Sequence, residues 1–216
     1  MFRYEIDLVN KFIDLKRLET NFIRECSFRW GNIDIVEYQT KSISFLNSKQ
    51  INSLKNKDNL HVFSLLYKKR PHTINYLSKE TKLDEKIMKK KLNNLIELNI
   101  IKDNGNLFTV NEQIDFPDIT VISYEMKLTD IRKALNQAVI NKKYSDYSYV
   151  VMPFDKYDLC IKYRELFQKC SIGLILVDDE QIKEVIRPKR IKEINFNKLA
   201  SKIRLVNDIE NHVLIY

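Results

Sequence analysis

The sequence predicts an α/β fold, a mixed sheet with helices packed on it, interrupted by a small helical domain. Three observations carry this. Strand-like runs alternate with amphipathic helices on both sides of a central segment. That segment, residues 45–113, has helical periodicity and ends in a hairpin signal. It also carries thirteen bases against seven acids, so +6 of the formal +8 of the chain lies in its middle third. The flanks are nearly balanced, with seven bases and seven acids over residues 1–44 and seventeen against fifteen over 114–216. A basic balance suits a polyanionic partner, and the middle segment is where nucleic acid is expected to bind.

Residues 4–18 read as an amphipathic helix with Leu8, Phe12 and Leu15 on one face. The run FIRECSFRWGNIDIVEYQ holds two strand-like stretches around Trp30-Gly31-Asn32 and reads as a hairpin. In the middle segment Asp58 is expected to cap a helix over Asn59–Lys68, which Arg70-Pro71 ends. Thr73 caps a short helix, TINYLSKE, that buries Ile74 and Leu77. After a brief turn, Asp84 caps EKIMKKKLNNLIELN, whose apolar stripe is Met88, Leu92, Leu95 and Ile96. IIKDNGNLFTV then gives two β-prone runs around Asn104-Gly105, where both turn positions favour positive φ.

Helix, helix, turn, helix, hairpin is the order of a winged helix. Its third helix would read DNA. Lys86, Lys89, Lys90 and Asn93 lie opposite the apolar stripe at i, i+3, i+4 and i+7, placed for phosphates and base edges in a major groove. A solvated lysine face has the same pattern, and many winged helices bind only protein.

After the insertion VISYEMKL reads as a strand, and Thr129 is expected to cap the helix DIRKALNQAVIN. Tyr147–Met152 is an apolar strand, Tyr157–Cys170 a helix and Leu174–Val177 a buried strand. Residues 1–44 and 114–192 would thus form one split core, and 193–216 a helix plus a last strand packing on it. Gly31 and Gly105 fall at the two hairpins and Gly173 just before what reads as the last core strand. With three glycines and neither GxxxxGK[ST] nor GxGxxG, nucleotide hydrolysis and dinucleotide cofactors are not expected.

No run of 18 apolar residues occurs, so no membrane-crossing helix is expected. The first residues show no secretory signal. Three widely spaced cysteines, Cys26, Cys160 and Cys170, fit a reducing cytoplasm rather than a disulfide scaffold. His61, His72 and His212 are scattered and no CxxC accompanies them, which argues against zinc.

The chemistry concentrates in a few charges on apolar strands. Glu125 and Lys127 sit two positions apart on the strand Val121–Leu128, so they share a face about 6.5–7 Å apart. Asp34 interrupts the apolar run Ile33-Asp34-Ile35-Val36. Such charges are costly in a core unless satisfied or functional. On neighbouring strands Asp34 and Glu125 would share a hard cation, Mg2+ or Mn2+. Lys127 would orient a water and offset charge on a phosphate. Taken alone, ExK also fits an exposed ion pair on an edge strand.

In order and spacing these residues resemble the PD-(D/E)XK nuclease superfamily, the restriction-endonuclease and Holliday-junction-resolvase fold. There, an acid on the first helix precedes a hairpin with the metal-binding Asp, and the next strand carries (D/E)xK. This chain offers Glu5, Asp34 in Gly31-Asn32-Ile33-Asp34, and Glu125-Met126-Lys127. Some members support the site with a Gln on the following helix, and ALNQA supplies Gln137. Those members often place a Tyr four residues later, where this chain has Asn141. The run YEMKLTDIRKALNQAVINKKYSDYSYVVMP resembles a bacterial subgroup of nuclease-like proteins. The resemblance spans residues 4–40 and 118–186, both halves of the split core. It implies a restriction-endonuclease-like core.

A literal Pro117-Asp118 also occurs. Asp118 precedes Glu125 by seven residues, about 23 Å along an extended strand, too far for one metal. Asp118 therefore reads as a turn residue. Glu25, on the first hairpin strand, is a rival third carboxylate. Glu5 also fits a plain early-helix acid and Gln137 a helix-surface amide. Arg187-Pro188-Lys189-Arg190 reads as a basic loop able to clamp a phosphate backbone.

The expected function is a Mg2+-dependent DNA nuclease positioned on duplex or branched DNA by the winged helix. Double-strand cleavage by one site per chain would need a homodimer or two encounters. The alternative is a non-catalytic DNA-binding regulator on a nuclease-like core. RNA as the substrate is a third reading, for which no aromatic platform stands out in the basic segment.

Overall fold

A computed structural model describes residues 2–17, 21–29, 31–40, 46–67, 70–114, 116 and 118–210. Trp30 of the first hairpin turn, Lys68 and the strand expected after residue 210 lie outside them. The chain divides into two compact units. One joins the residues up to Gln39 with Ile119–Glu193, and the other joins Thr40–Asp118 with the segment from Ile194.

The first unit is α/β. Helix α1 (Glu5–Lys16) precedes the antiparallel strands β1 (Phe22–Arg29) and β2 (Gly31–Thr40). After the second unit come β5 (Ile119–Met126), α6 (Ile131–Asn141), β6 (Tyr147–Pro153), α7 (Tyr157–Ile161), α8 (Arg164–Cys170), β7 (Gly173–Val177) and β8 (Ile182–Ile186). These strands form a six-stranded sheet ordered β1-β2-β5-β6-β7-β8. β5, β6 and β7 run parallel, and β8 closes one side antiparallel to β7.

Side chains alternate across the sheet, and each face has its own core. Ile35, Ile122, Tyr124, Met126, Val151 and Ile175 pack against Leu8, Phe12 and Ile13 of α1. Val150, Met152, Leu174 and Leu176 pack against Ala134, Leu135 and Ala138 of α6 and Phe167 of α8. The apolar runs of β6 and β7 follow from this burial on both faces. Ser123 and Glu125 therefore lie on the α6 side of β5, and Tyr124 on the α1 side.

Three expectations change in this unit. The helix expected over Tyr157–Cys170 breaks into α7 and α8 at Lys162-Tyr163. Asp130 rather than Thr129 caps α6, its side chain accepting from the Lys133 N–H at 2.9 Å. β7 is followed by another strand, β8, which ends the sheet and carries the adjacent charges Lys183 and Glu184, as an edge strand tolerates.

The second unit is mainly helical. It contains α2 (Ser48–Leu54), α3 (Lys57–Leu66), α4 (Ile74–Thr81), α5 (Glu85–Glu97), the hairpin β3 (Ile101–Asp103) and β4 (Phe108–Val110), and α9 (Phe196–Glu210). Thr73 and Asp84 cap α4 and α5. Asn56, not Asp58, caps α3, and Asp58 instead pairs with Lys91 of α5 at 3.4 Å. The hairpin turn also shifts by one residue. Positive φ falls on Gly105 and Asn106 (both 71°), and the Asn104 N–H closes on the Leu107 carbonyl at 2.9 Å.

α9 groups with the second unit rather than with the split core that residues 193–216 were expected to join. It packs on α2 and α3, whose Ile51, Leu54 and Leu60 present apolar surface to be covered. His61 and Phe196 meet edge-on at 5.5 Å. Among the described residues, no helix is long and apolar enough to cross a membrane.

Candidate functional site

β2 and β5 are neighbours in the sheet, and each carries one acid on the α6 side. Asp34 alternates with Ile35, which packs toward α1, so its carboxylate emerges on the opposite face. Its Oδ2 accepts the Met126 backbone N–H at 2.6 Å. Burial pushes its pKa up, against the lowering effects of that N–H and of Lys127.

Glu125 is 1 % exposed. Its Oε2 accepts from the Asn141 side-chain amide of α6 at 3.0 Å. Its Oε1 is buried with no hydrogen-bond partner, and the Lys127 ammonium lies 3.6 Å from it. Burial, then the charge of Asp34, pushes the Glu125 carboxyl up to about 7. An acid raised by burial and by a neighbouring carboxylate attracts either a proton or a cation.

Lys127 follows the end of β5 and extends its ladder, donating its backbone N–H to the Val151 carbonyl at 3.1 Å. Its ammonium donates to the Met126 carbonyl at 2.9 Å and to Glu5 Oε2 at 3.1 Å. Burial alone would lower its pKa. The Glu5 hydrogen bond and the charges of Asp34, Glu5 and Glu125 outweigh burial and raise it. Lys127 is therefore a fixed cation. Glu5 opens α1, exposed at its N-terminus, and holds the lysine from outside.

Asp34, Glu125, Lys127 and Glu5 thus come together. Gln137 lies on α6, four residues before Asn141, and its Oε1 is buried without a partner. Asn141 is the residue that spacing alone missed. Its one signal was the i+4 relation to Gln137, which puts both on one helix face. Glu25, at φ 49° in β1, is exposed and accepts from Asn32 Nδ2 at 3.1 Å. Asp118 is exposed just before β5 begins, while Glu125 is the penultimate residue of that strand.

On the second unit, Lys86, Lys89, Lys90 and Asn93 are all exposed along α5. Lys89 pairs with Glu85 at 2.7 Å. Lys91, off that face, bonds Asn56 at 3.0 Å and so ties α5 to the start of α3. Arg187, Lys189 and Arg190 are exposed, with Arg187 bonded to Glu184 at 2.7 Å. Among the described residues, no group of three or more His, Cys, Asp or Glu is gathered to hold a metal ion. Comparison with protein-family models, with curated proteins and with solved structures gave no match.

Proposed function

We propose that the chain is a divalent-metal-dependent phosphodiesterase acting on DNA, built on a PD-(D/E)XK-like core with an inserted winged helix. The observation that carries this reading is Glu125, a buried acid with one unpartnered oxygen, set beside Asp34 and Lys127. A scaffold role offers no return for burying such a group.

The donors fit Mg2+ or Mn2+ and not zinc. They are two carboxylates, and Mg2+ is bound through one or two carboxylates while keeping several waters. Asp34 and Glu125 would hold it. When bound, the cation would polarise a phosphoryl oxygen and ease deprotonation of a water.

The other roles belong to the chain. Lys127, locked by Glu5 and the Met126 carbonyl, places a positive charge where a phosphate gains negative charge during attack. Its one remaining N–H could be offered to a water poised against phosphorus. The water oxygen would bond to phosphorus as the water gives up a proton to solvent, the bond to the leaving oxygen would break, and that oxygen would take up a proton from solvent. Gln137, whose carbonyl oxygen is buried without a partner, would accept from a water in the site.

The elements α3, α4, α5 and β3–β4 follow the winged-helix order, and the exposed α5 face supports duplex binding. Wild-type protein is incubated with supercoiled, linear duplex, single-stranded and branched DNA, in Mg2+, in Mn2+ and in EDTA. Metal-dependent cleavage of any of them supports the reading. Salt-sensitive binding without cleavage of all four replaces it with a non-catalytic DNA-binding protein.

A further inference from the structure

We propose that Asn141 is a positioning residue that aims the Glu125 carboxylate. Its amide holds Oε2 at 3.0 Å and leaves Oε1 without a hydrogen-bond partner, 3.6 Å from the Lys127 ammonium. The inference rests on reading Asp34 and Glu125 as a divalent-cation site.

Asn141 closes α6 and is buried. Asn is a poor helix former, and a buried amide is costly without partners, so neither propensity nor burial explains it there. Its neighbours satisfy one another without using Glu125. The Ser123 and Ser145 hydroxyls meet at 2.9 Å, and the Ser145 hydroxyl also bonds the Asn141 backbone carbonyl at 3.1 Å. Among the described residues, the Asn141 side chain is the one that hydrogen-bonds from α6 to the carboxylate.

The kind of donor matters. A neutral N–H fixes the rotamer but leaves the full negative charge on the carboxylate. A lysine there would neutralise the charge that a cation needs. Partners that orient a metal ligand in this way typically affect affinity by about 10–100-fold.

The test is Mn2+ binding, followed by the electron paramagnetic resonance signal of free Mn2+, with no DNA present. Asn141→Ala and the near-isosteric Asn141→Leu are each expected to weaken binding by about 10–100-fold, with thermal melting still cooperative. Ser145→Ala, which alters the same buried cluster without touching Glu125, is expected to stay within about two-fold, well below that range. If Leu or Ala leaves affinity within two-fold while Asp34→Asn abolishes binding, the role of Asn141 is overturned and the cation site stands. If Ser145→Ala weakens binding as much as Asn141→Ala, the effect is general packing and the role is overturned. If the wild type leaves the free Mn2+ signal unchanged, both readings fall.

Discussion

The Asp34 carboxylate accepts the backbone N–H of Met126, 92 residues away in sequence, at 2.6 Å. This bond places the acid of β2 against the backbone joining Glu125 to Lys127. One carboxylate, one buried acid and one cation are thereby gathered at a single point on two adjacent strands. This site and three other features of the structure have measurable consequences besides cleavage itself.

The charge of buried Glu125 is expected to weaken the fold above neutral pH. Its pKa is raised to about 7, so at pH 8 it is ionised, buried and repelled by Asp34. Glu125→Gln removes that repulsion. The metal-free variant at pH 8 is expected to melt higher, by about 2–4 °C per kcal/mol relieved. The gain shrinks toward pH 5, where wild-type Glu125 takes up a proton. Differential scanning calorimetry at both pH values checks it, and a lower melting temperature at pH 8 would contradict it.

Glu37 behaves in the opposite sense. Burial pushes its pKa up, but the Lys16 and Tyr124 hydrogen bonds and the Lys16 charge more than offset this, so the carboxyl sits below its usual range. Tyr124 donates to it at 2.5 Å, and Lys16 bonds both. With the folded pKa lowered, the stabilisation is present above the unfolded carboxylate pKa and is lost as pH falls through the folded value. Glu37→Gln is expected to cost about 1–3 kcal/mol near pH 7 and progressively less in acid. Urea unfolding of both proteins from pH 7 down to pH 3 measures it.

Gly173 has no room for a side chain. A Cβ there would lie 2.3 Å from a Tyr149 ring atom and 2.8 Å from Pro188. The Tyr149 ring stacks on Tyr124 at 5.4 Å, and its hydroxyl donates to Glu184 at 2.8 Å. Gly173→Ala is therefore expected to displace Tyr149 and cost about 1–3 kcal/mol, read by urea unfolding. Gly105→Ala meets no neighbour within 4 Å and costs only the strain of φ +71°.

Duplex binding through the α5 face, as proposed, is expected to carry a salt-dependent signature. Lys86→Ala and Lys90→Ala should each weaken duplex binding without regard to sequence and reduce the salt slope by about one. Lys89, already paired with Glu85, should contribute less. Asn93→Ala should instead relax preference at one base position, since an amide reads base edges. Fluorescence anisotropy over a salt series separates the two kinds of effect.

The strongly periodic elements were legible before any coordinates. Met88, Leu92 and Leu95 mark α5, and Thr73 and Asp84 cap helices as their sequence implies. α2 was not read, because SKQINSL offers only Ile51 and Leu54 as apolar anchors. Its capping box between Asn47 and Gln50 was the available signal. β8 was hidden by Lys183 and Glu184, charges that an edge strand tolerates. The break at Lys162-Tyr163 carries neither Gly nor Pro. In the site, Asp34, Glu125 and Lys127 stood out as charges in apolar strands. Asn141 did not, because its role is a contact across 16 residues that only the packing of α6 on β5 creates.

The central claim is that Asp34, Glu125 and Lys127 hydrolyse phosphodiesters. It is tested most directly by nicking of supercoiled plasmid in Mg2+ by wild type, Glu125→Ala and Lys127→Ala, with folding of each verified by its melting curve. The account predicts nicking by the wild type that EDTA stops, and a loss of at least about 100-fold in both variants. Nicking that persists in either folded variant, or that EDTA leaves unchanged, would contradict it.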